Sequence, residues 1–357
     1  RDEAHYAARM HAAFRVVPSA SNGSAVRAAD VFRELVDFAA LASVDTAILS
    51  GDIVNFPQEK TVDWVVRTLN GSLRRQSGPH AGSRIPWLYS AGNHDWFYEG
   101  SNASQRELQV RWRQTALSPL YALSAPWQES GEASHDAYSY EQGGLLFLVL
   151  DNSRQEISRE QLRFFRGQIL RWIPTVLVLH VPLSVSESLR PFHGYALCGD
   201  PAWGRATDRS WEVERREPFP ERSSASTVRF LEAVLAASAP RGPLVAVLAG
   251  HVHAHDATPF PEGGSSPPAP GSGGCGGRHD CAWGGVQYVG LAGFQGGYRL
   301  MSVETATEED VPEHRVEAEL RARLAAAELL AGLAVALLGA PGAAGAASTP
   351  AAASLRC

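Results

Sequence analysis

Apolar residues along this chain fall into two patterns. Short runs at Thr46–Ser50, Trp87–Ser90, Leu145–Leu150, Val176–Leu179 and Leu244–Leu248 are bounded by turn residues and suit strands covered on both faces. Between the runs, apolar residues recur at helical spacing. Val31, Leu35, Phe38 and Ala42 share one face, as do Val62, Val65, Val66 and Leu69. Ser158 with Gln161 forms a capping box ahead of Leu162, Phe165 and Ile169. Val228, Leu231, Val234 and Leu235 make a further face, with Ser226 or Thr227 as its cap. Strands alternating with helices predict an α/β sheet. Val286–Leu291 and Tyr298–Val303 read as an added hairpin.

Two stretches keep neither period. Residues 184–226 are rich in Arg, Trp and Pro and too long for an idle connector, so they read as a lid or specificity loop. Residues 260–285 are rich in Gly, Ser and Pro and read as a surface insertion. The pattern thus predicts one domain over 1–305, then an Ala-rich helix and tail over 306–357. Within that tail, Leu329–Ala347 is uncharged and long enough for a membrane span, but Gly332, Gly339, Pro341 and Gly342 interrupt it. Helix and tail is therefore preferred over a membrane anchor.

Composition narrows the choice. A chain of 357 residues with 45% hydrophobic positions can bury a large α/β core. A net charge of −6 leaves no basic footprint, so nucleic acid is not an expected partner. Cys198, Cys275, Cys281 and Cys357 form no C-x-x-C pair, which argues against a thiolate zinc site. Cys275 and Cys281 either close a small loop or stay as thiols. Asn22, Asn70 and Asn102 stand in N-x-S contexts, which leaves cytoplasmic and secretory locations equally open.

The candidate chemistry lies where the runs end. The first run leads into Ser-Gly-Asp52-Ile-Val-Asn55, the second into Gly92-Asn93-His94-Asp95, the fourth into His180 and the fifth into Gly250-His251-Val252-His253. In α/β sheets functional groups gather beyond the carboxyl ends of strands, so these distant segments can converge. One carboxylate, one carboxamide and three imidazoles make an O/N ligand set without sulfur, suited to Mn²⁺, Fe or Zn²⁺. His251 and His253, two apart, would reach different sides of a site. Two ions bridged by Asp52 would use that arrangement.

This ordered set resembles the calcineurin-like metallophosphoesterase superfamily over roughly residues 45–303. The resemblance implies a four-layer α/β/β/α sandwich and a dinuclear centre that hydrolyses phosphomonoesters or phosphodiesters with a metal-activated water. Carried across residue by residue, it makes Asp52 the bridging ligand. Asn93, His180 and His251 complete the shell of the second ion, and His253 binds the first. His94 faces the substrate phosphate, Asp95 supports the loop, and Asn55 lies near the first ion. Trp203, Arg205 and Arg209 in the lid either clamp a phosphate or pack as surface residues.

One departure stands out. The superfamily's first motif, Asp-x-His at the end of a first strand, is absent here; Asp2-Glu3-Ala4-His5 has the residue types at the wrong spacing. The first ion keeps only Asp52 and His253, so one ion rather than two is expected in this chain. A chain cut after that motif fits its opening on Arg1; a degenerate relative that lost the first ion is the alternative. The rival functions are a non-catalytic scaffold on the same fold and a membrane-tethered ectodomain.

Overall fold

The computed structural model describes residues 8, 16–18, 25–97, 103–122, 136–186, 188–189, 197–198, 224–239, 242–259, 286–290 and 301. Ten strands lie among them: β1 (Val16–Pro18), β2 (Ala25–Arg27), β3 (Ala47–Leu49), β4 (Trp87–Tyr89), β5 (Ala137–Gln142), β6 (Leu145–Leu150), β7 (Thr175–Val178), β8 (Leu244–Ala249), β9 (Asp256–Pro259) and β10 (Val286–Val289). The helices are α1 (Ala28–Leu41), α2 (Glu59–Ser72), α3 (Gln105–Gln114), α4 (Ser118–Ala122), α5 (Arg159–Ile169) and α6 (Ala225–Ala237). Each of the five apolar runs is a strand. The protein is a mixed α/β fold.

Six strands form a mixed sheet in the order β5-β6-β7-β8-β10-β9. Its four inner strands run parallel and its two edge strands antiparallel. A second sheet pairs β3 with β4 in parallel. The third, β1 with β2, is an antiparallel ribbon that precedes β3 without joining it.

Alternation along the strands divides the interior. Leu146, Leu148 and Leu150 of β6 and Leu177 of β7 join one core with Phe165 of α5 and Phe230 of α6. Those two rings meet edge-on, with centroids 5.1 Å apart, which adds about 0.5–1.5 kcal/mol to their burial. The intervening residues Val149, Val176 and Val178 face a second core with Trp87, Leu88 and Tyr89 of β4 and Val62, Val65, Val66 and Leu69 of α2. The α2 face is the one its spacing predicts.

The helix starts have local causes. Ser158 Oγ accepts from the Gln161 N–H and Gln161 Oε1 accepts from the Ser158 N–H, the expected capping box. Gln161 Nε2 also donates to the carbonyls of Asp136 and Asp151, tying α5 to the end of β6. A second capping box, Ser104 with Glu107, starts α3. From α3, Arg113 reaches the buried Asp151 carboxylate at 2.6 Å, and Gln109 donates to the same oxygen at 3.1 Å.

Three expectations need correction. Helix α6 is capped by Ser224, not Ser226 or Thr227, and buries Thr227, Phe230, Ala233, Val234 and Ala237. Val228 and Leu235, placed inside by the sequence reading, are each 44% exposed. In α1 the buried residues are Val31, Val36 and Ala40, while Phe38 faces outward. Finally, β10 is not half of a local hairpin, since it runs parallel to β8 and antiparallel to the earlier β9.

Tyr298–Val303, bar Met301, lies outside the described residues, as do Trp203, Arg205, Arg209, Cys275, Cys281 and the 306–357 tail. Among the described residues no helix is long and apolar enough to cross a membrane.

Candidate metal site

Four strand ends meet. From the small sheet, β3 runs into Ser50-Gly51-Asp52 and β4 into Gly92-Asn93-His94-Asp95; from the large sheet, β7 leads to His180 and β8 to Gly250-His251. Hydrogen bonds join the sheets at this rim. Ser90 Oγ donates to the Leu150 carbonyl at 3.1 Å, and His180 Nδ1 lies 2.8 Å from the Ser50 carbonyl. Within the large sheet, the Gly250 N–H donates to the His180 carbonyl at 2.9 Å.

Close approach of the loops requires glycine at two positions. A Cβ on Gly92 would lie 2.1 Å from Asp52 Oδ1, and one on Gly51 would lie 2.4 Å from His180 Nδ1. Gly51 also has a φ of +94°, open to glycine without strain. These glycines therefore pack the loops on each other.

Three candidate ligands sit in the left-handed region themselves. Asp52 has φ 54°, His251 69° and His253 52°, half of the six non-glycine residues with positive φ among those described. Such a conformation costs of order 1 kcal/mol per residue and gathers at functional sites.

The centre of the cluster is His180 Nε2. Asn93 Oδ1 lies 3.1 Å from it, Asp52 Oδ2 3.2 Å and His251 Nδ1 3.2 Å. The ligand atoms of Asp52, His180 and His251 all lie within 4.8 Å of one another. Since the Ser50 carbonyl accepts the Nδ1 proton, Nε2 of the neutral ring offers a lone pair, as a metal ligand must. One ring nitrogen can share a proton with only one of three neighbours. A cation takes all four donors at once, and ligands held at ~2.1 Å from it sit about 3.0–3.4 Å apart. The donor types suit a divalent ion, and Asp52, His180 and His251 lie close enough together to hold one, with Asn93 Oδ1 beside His180.

The other predicted residues take different places. His94 is half-buried, and its peptide N–H donates to Asp52 Oδ1 at 2.8 Å, orienting the carboxylate. Asp95 is fully buried beneath the loops and accepts from the peptide N–H groups of Asp52, Val54 and Gly92 and from the Tyr89 hydroxyl, all at 2.8–2.9 Å. Asn55 is half-buried in the loop between β3 and α2. His253 is exposed and stands outside the group that can hold an ion.

Sequence reasoning missed Asn152. The third apolar run also ends in polar residues, Asp151-Asn152, and that was the available signal. No protein-family model matches the chain, and no curated protein matches it.

Charge in the metal-free cluster follows from burial and contact. Burial favours the neutral Asp52 acid, but the imidazoles of His180 and His94 outweigh it and hold the carboxyl below its usual 3.8. Burial likewise opposes charge on His180, and the Asp52 carboxylate outweighs it, lifting the imidazole above its usual 6.5. The pair's contribution to stability is therefore fully present from 3.8 to 6.5. It is lost at lower pH as Asp52 protonates and at higher pH as His180 deprotonates. A cation needs neutral His180, so binding runs the other way. Between about pH 6 and pH 8 the Tm of the metal-free protein should fall, while the Tm gained on adding Co²⁺ should grow. Thermal melts with and without Co²⁺ check both slopes, and a gain that shrinks as pH rises would contradict ligation by His180.

Proposed function

We propose that this chain is a metal-dependent phosphoester hydrolase of the calcineurin-like metallophosphoesterase kind. The observation that carries the reading is the meeting of Asp52, Asn93, His180 and His251 at four strand ends, with three donor atoms 3.1–3.2 Å from His180 Nε2. The two cores on opposite faces of the large sheet support the four-layer sandwich: α5 and α6, the six-stranded sheet, the β3–β4 sheet, then α1 and α2.

Asp52, His180 and His251, with Asn93, would hold a divalent ion, Mn²⁺, Fe or Zn²⁺, which when bound would supply a Lewis acid and a water of pKa lowered toward ~7. The protein's own groups do the rest. The Ser50 carbonyl keeps the His180 lone pair turned inward, and the His94 peptide holds Asp52. The Asn93 amide and the His94 imidazole provide hydrogen-bond donors where negative charge develops, and His94 gives a proton to the leaving oxygen. A phosphomonoester or phosphodiester of small size is the proposed substrate class.

His253, exposed and outside the Asp52, His180 and His251 group, supports one tightly held ion per chain rather than two. Elemental analysis should find about one ion per chain. Assays with p-nitrophenyl phosphate and its bis ester should show weak, metal-dependent turnover that His180→Ala abolishes. Two tightly held ions would contradict the ligand count, and no bound ion would overturn the reading. An ion held without any turnover would favour the non-catalytic scaffold, the reading that the exposed His253 also favours.

A further inference from the structure

Strand β6 pairs with β7 only as far as Val149 opposite Val178. Beyond that point β7 keeps its other neighbour, with the Leu179 N–H donating to Leu248 and the His180 carbonyl accepting from Gly250. On the β6 side the strand partner has gone. The buried peptide groups of His180 and Val181 there need other partners, because orphaned ones cost about 1–3 kcal/mol each.

Asn152 supplies them. Its side chain is fully buried. Oδ1 accepts from the His180 N–H at 3.0 Å and the Val181 N–H at 2.9 Å, and Nδ2 donates to the Val181 carbonyl at 2.7 Å. Two donors face the oxygen and a carbonyl faces the nitrogen, so the orientation of the amide is fixed. The carboxamide extends the β6 side of the ladder by one step, just where β7 delivers His180. Asn152 is itself anchored from behind: neighbouring Asp151 is gripped by Arg113 and Gln109 of α3, and its carbonyl by Gln161 of α5.

A second amide acts two residues farther on. Gln287 of β10 accepts from the peptide N–H groups of Leu183 and Ser184 and donates to the Ser184 carbonyl. It makes the same kind of clamp on the same strap without touching His180.

We propose that Asn152 is a positioning residue that sets the affinity of the site for its cation by fixing the backbone of His180. The inference rests on the reading of the cluster as a metal site. Ring placement follows from the backbone: Nε2 must stay in reach of Asn93, Asp52 and His251, and small misplacements of a ligand weaken a site strongly. Loss of groups that orient a metal ligand typically lowers affinity 10–100-fold.

The test compares Asn152→Ala, Asn152→Asp and Gln287→Ala in the full chain. Co²⁺ affinity is measured by competition with a chromophoric chelator, together with the Co²⁺ absorption spectrum and the metal-free Tm. Asn152→Ala should bind Co²⁺ about 10–100-fold more weakly and shift its spectrum. Asn152→Asp keeps the oxygen that accepts from His180, but it sets an oxygen against the Val181 carbonyl, and it should fall between Asn152→Ala and wild type. Gln287→Ala should lose thermal stability while holding Co²⁺ within about threefold of wild type.

Equal weakening by Asn152→Ala and Gln287→Ala would reduce Asn152 to a stability role and overturn the proposal, as would unchanged affinity in Asn152→Ala. If Asn152→Ala does not fold, Asn152→Asp decides the matter by the same comparison. Failure of the wild-type chain to bind Co²⁺ would overturn the metal reading itself, a result distinct from either.

Discussion

Phosphoester turnover should fall about 10²–10⁴-fold in His94→Ala, with the metal content unchanged. The separation of effects comes from how His94 is built into the site. Its contact with Asp52 Oδ1 is made by the peptide N–H, which alanine keeps, so the carboxylate stays oriented toward His180. His180 and His251 are carried by other elements, at the ends of β7 and β8. The substitution removes only an imidazole beside the cluster, the group proposed to protonate the leaving oxygen. Steady-state kinetics alongside elemental analysis check this. Full activity in His94→Ala would refute the role, and loss of the ion along with activity would make the residue part of the metal shell instead.

Asp95→Ala should destabilise the protein by about 3–5 kcal/mol and remove metal binding with it. Four buried donors converge on this carboxylate, and three are peptide N–H groups of the two loops that carry Asp52 and Asn93. Removing it orphans all four. Part of that loss is offset, because the charge is itself expensive: burial and the nearby Asp52 carboxylate push the Asp95 carboxyl up to about 6. A pKa raised by folding stabilises the protein below the unfolded value and loses that contribution as pH rises. Its share therefore disappears between the usual 3.8 and about 6, and the donors must hold a full charge at neutral pH. Urea unfolding and a Co²⁺ titration of the variant measure both effects. A loss under about 1 kcal/mol with normal Co²⁺ binding would show that the loops hold together without the knot.

Much of this arrangement was legible in the order of residues, and the gaps have physical causes. Strands that are buried on both faces leave uninterrupted apolar runs, so β3, β4, β6, β7 and β8 were readable, and with them the strand-end positions of Asp52, Asn93, His180 and His251. The capping box at Ser158 is a local signal and was readable for that reason. Helix α6 was misphased because apolar and small residues surround it. Its inner face includes the small Ala233 and Ala237 beside Phe230 and Val234, while the apolar Val228 and Leu235 are largely exposed. The partners of β10 were hidden because a parallel neighbour leaves no turn between the strands. Asn152 escaped notice because its work is done on the backbone of a residue 28 positions away, which no spacing rule records. His253 shares a short motif with His251, yet only His251 is in the group with Asp52 and His180 that could hold an ion.

The central claim is that a cation sits among four side chains from two sheets. Anomalous diffraction from crystals of the protein grown with Co²⁺ or Zn²⁺ tests it most directly. One ion should lie about 2.0–2.2 Å from Asp52 Oδ2, His180 Nε2 and a His251 ring nitrogen, with Asn93 Oδ1 completing the shell. An ion found elsewhere, with Asp52, His180 and His251 still bonded to one another, would contradict it.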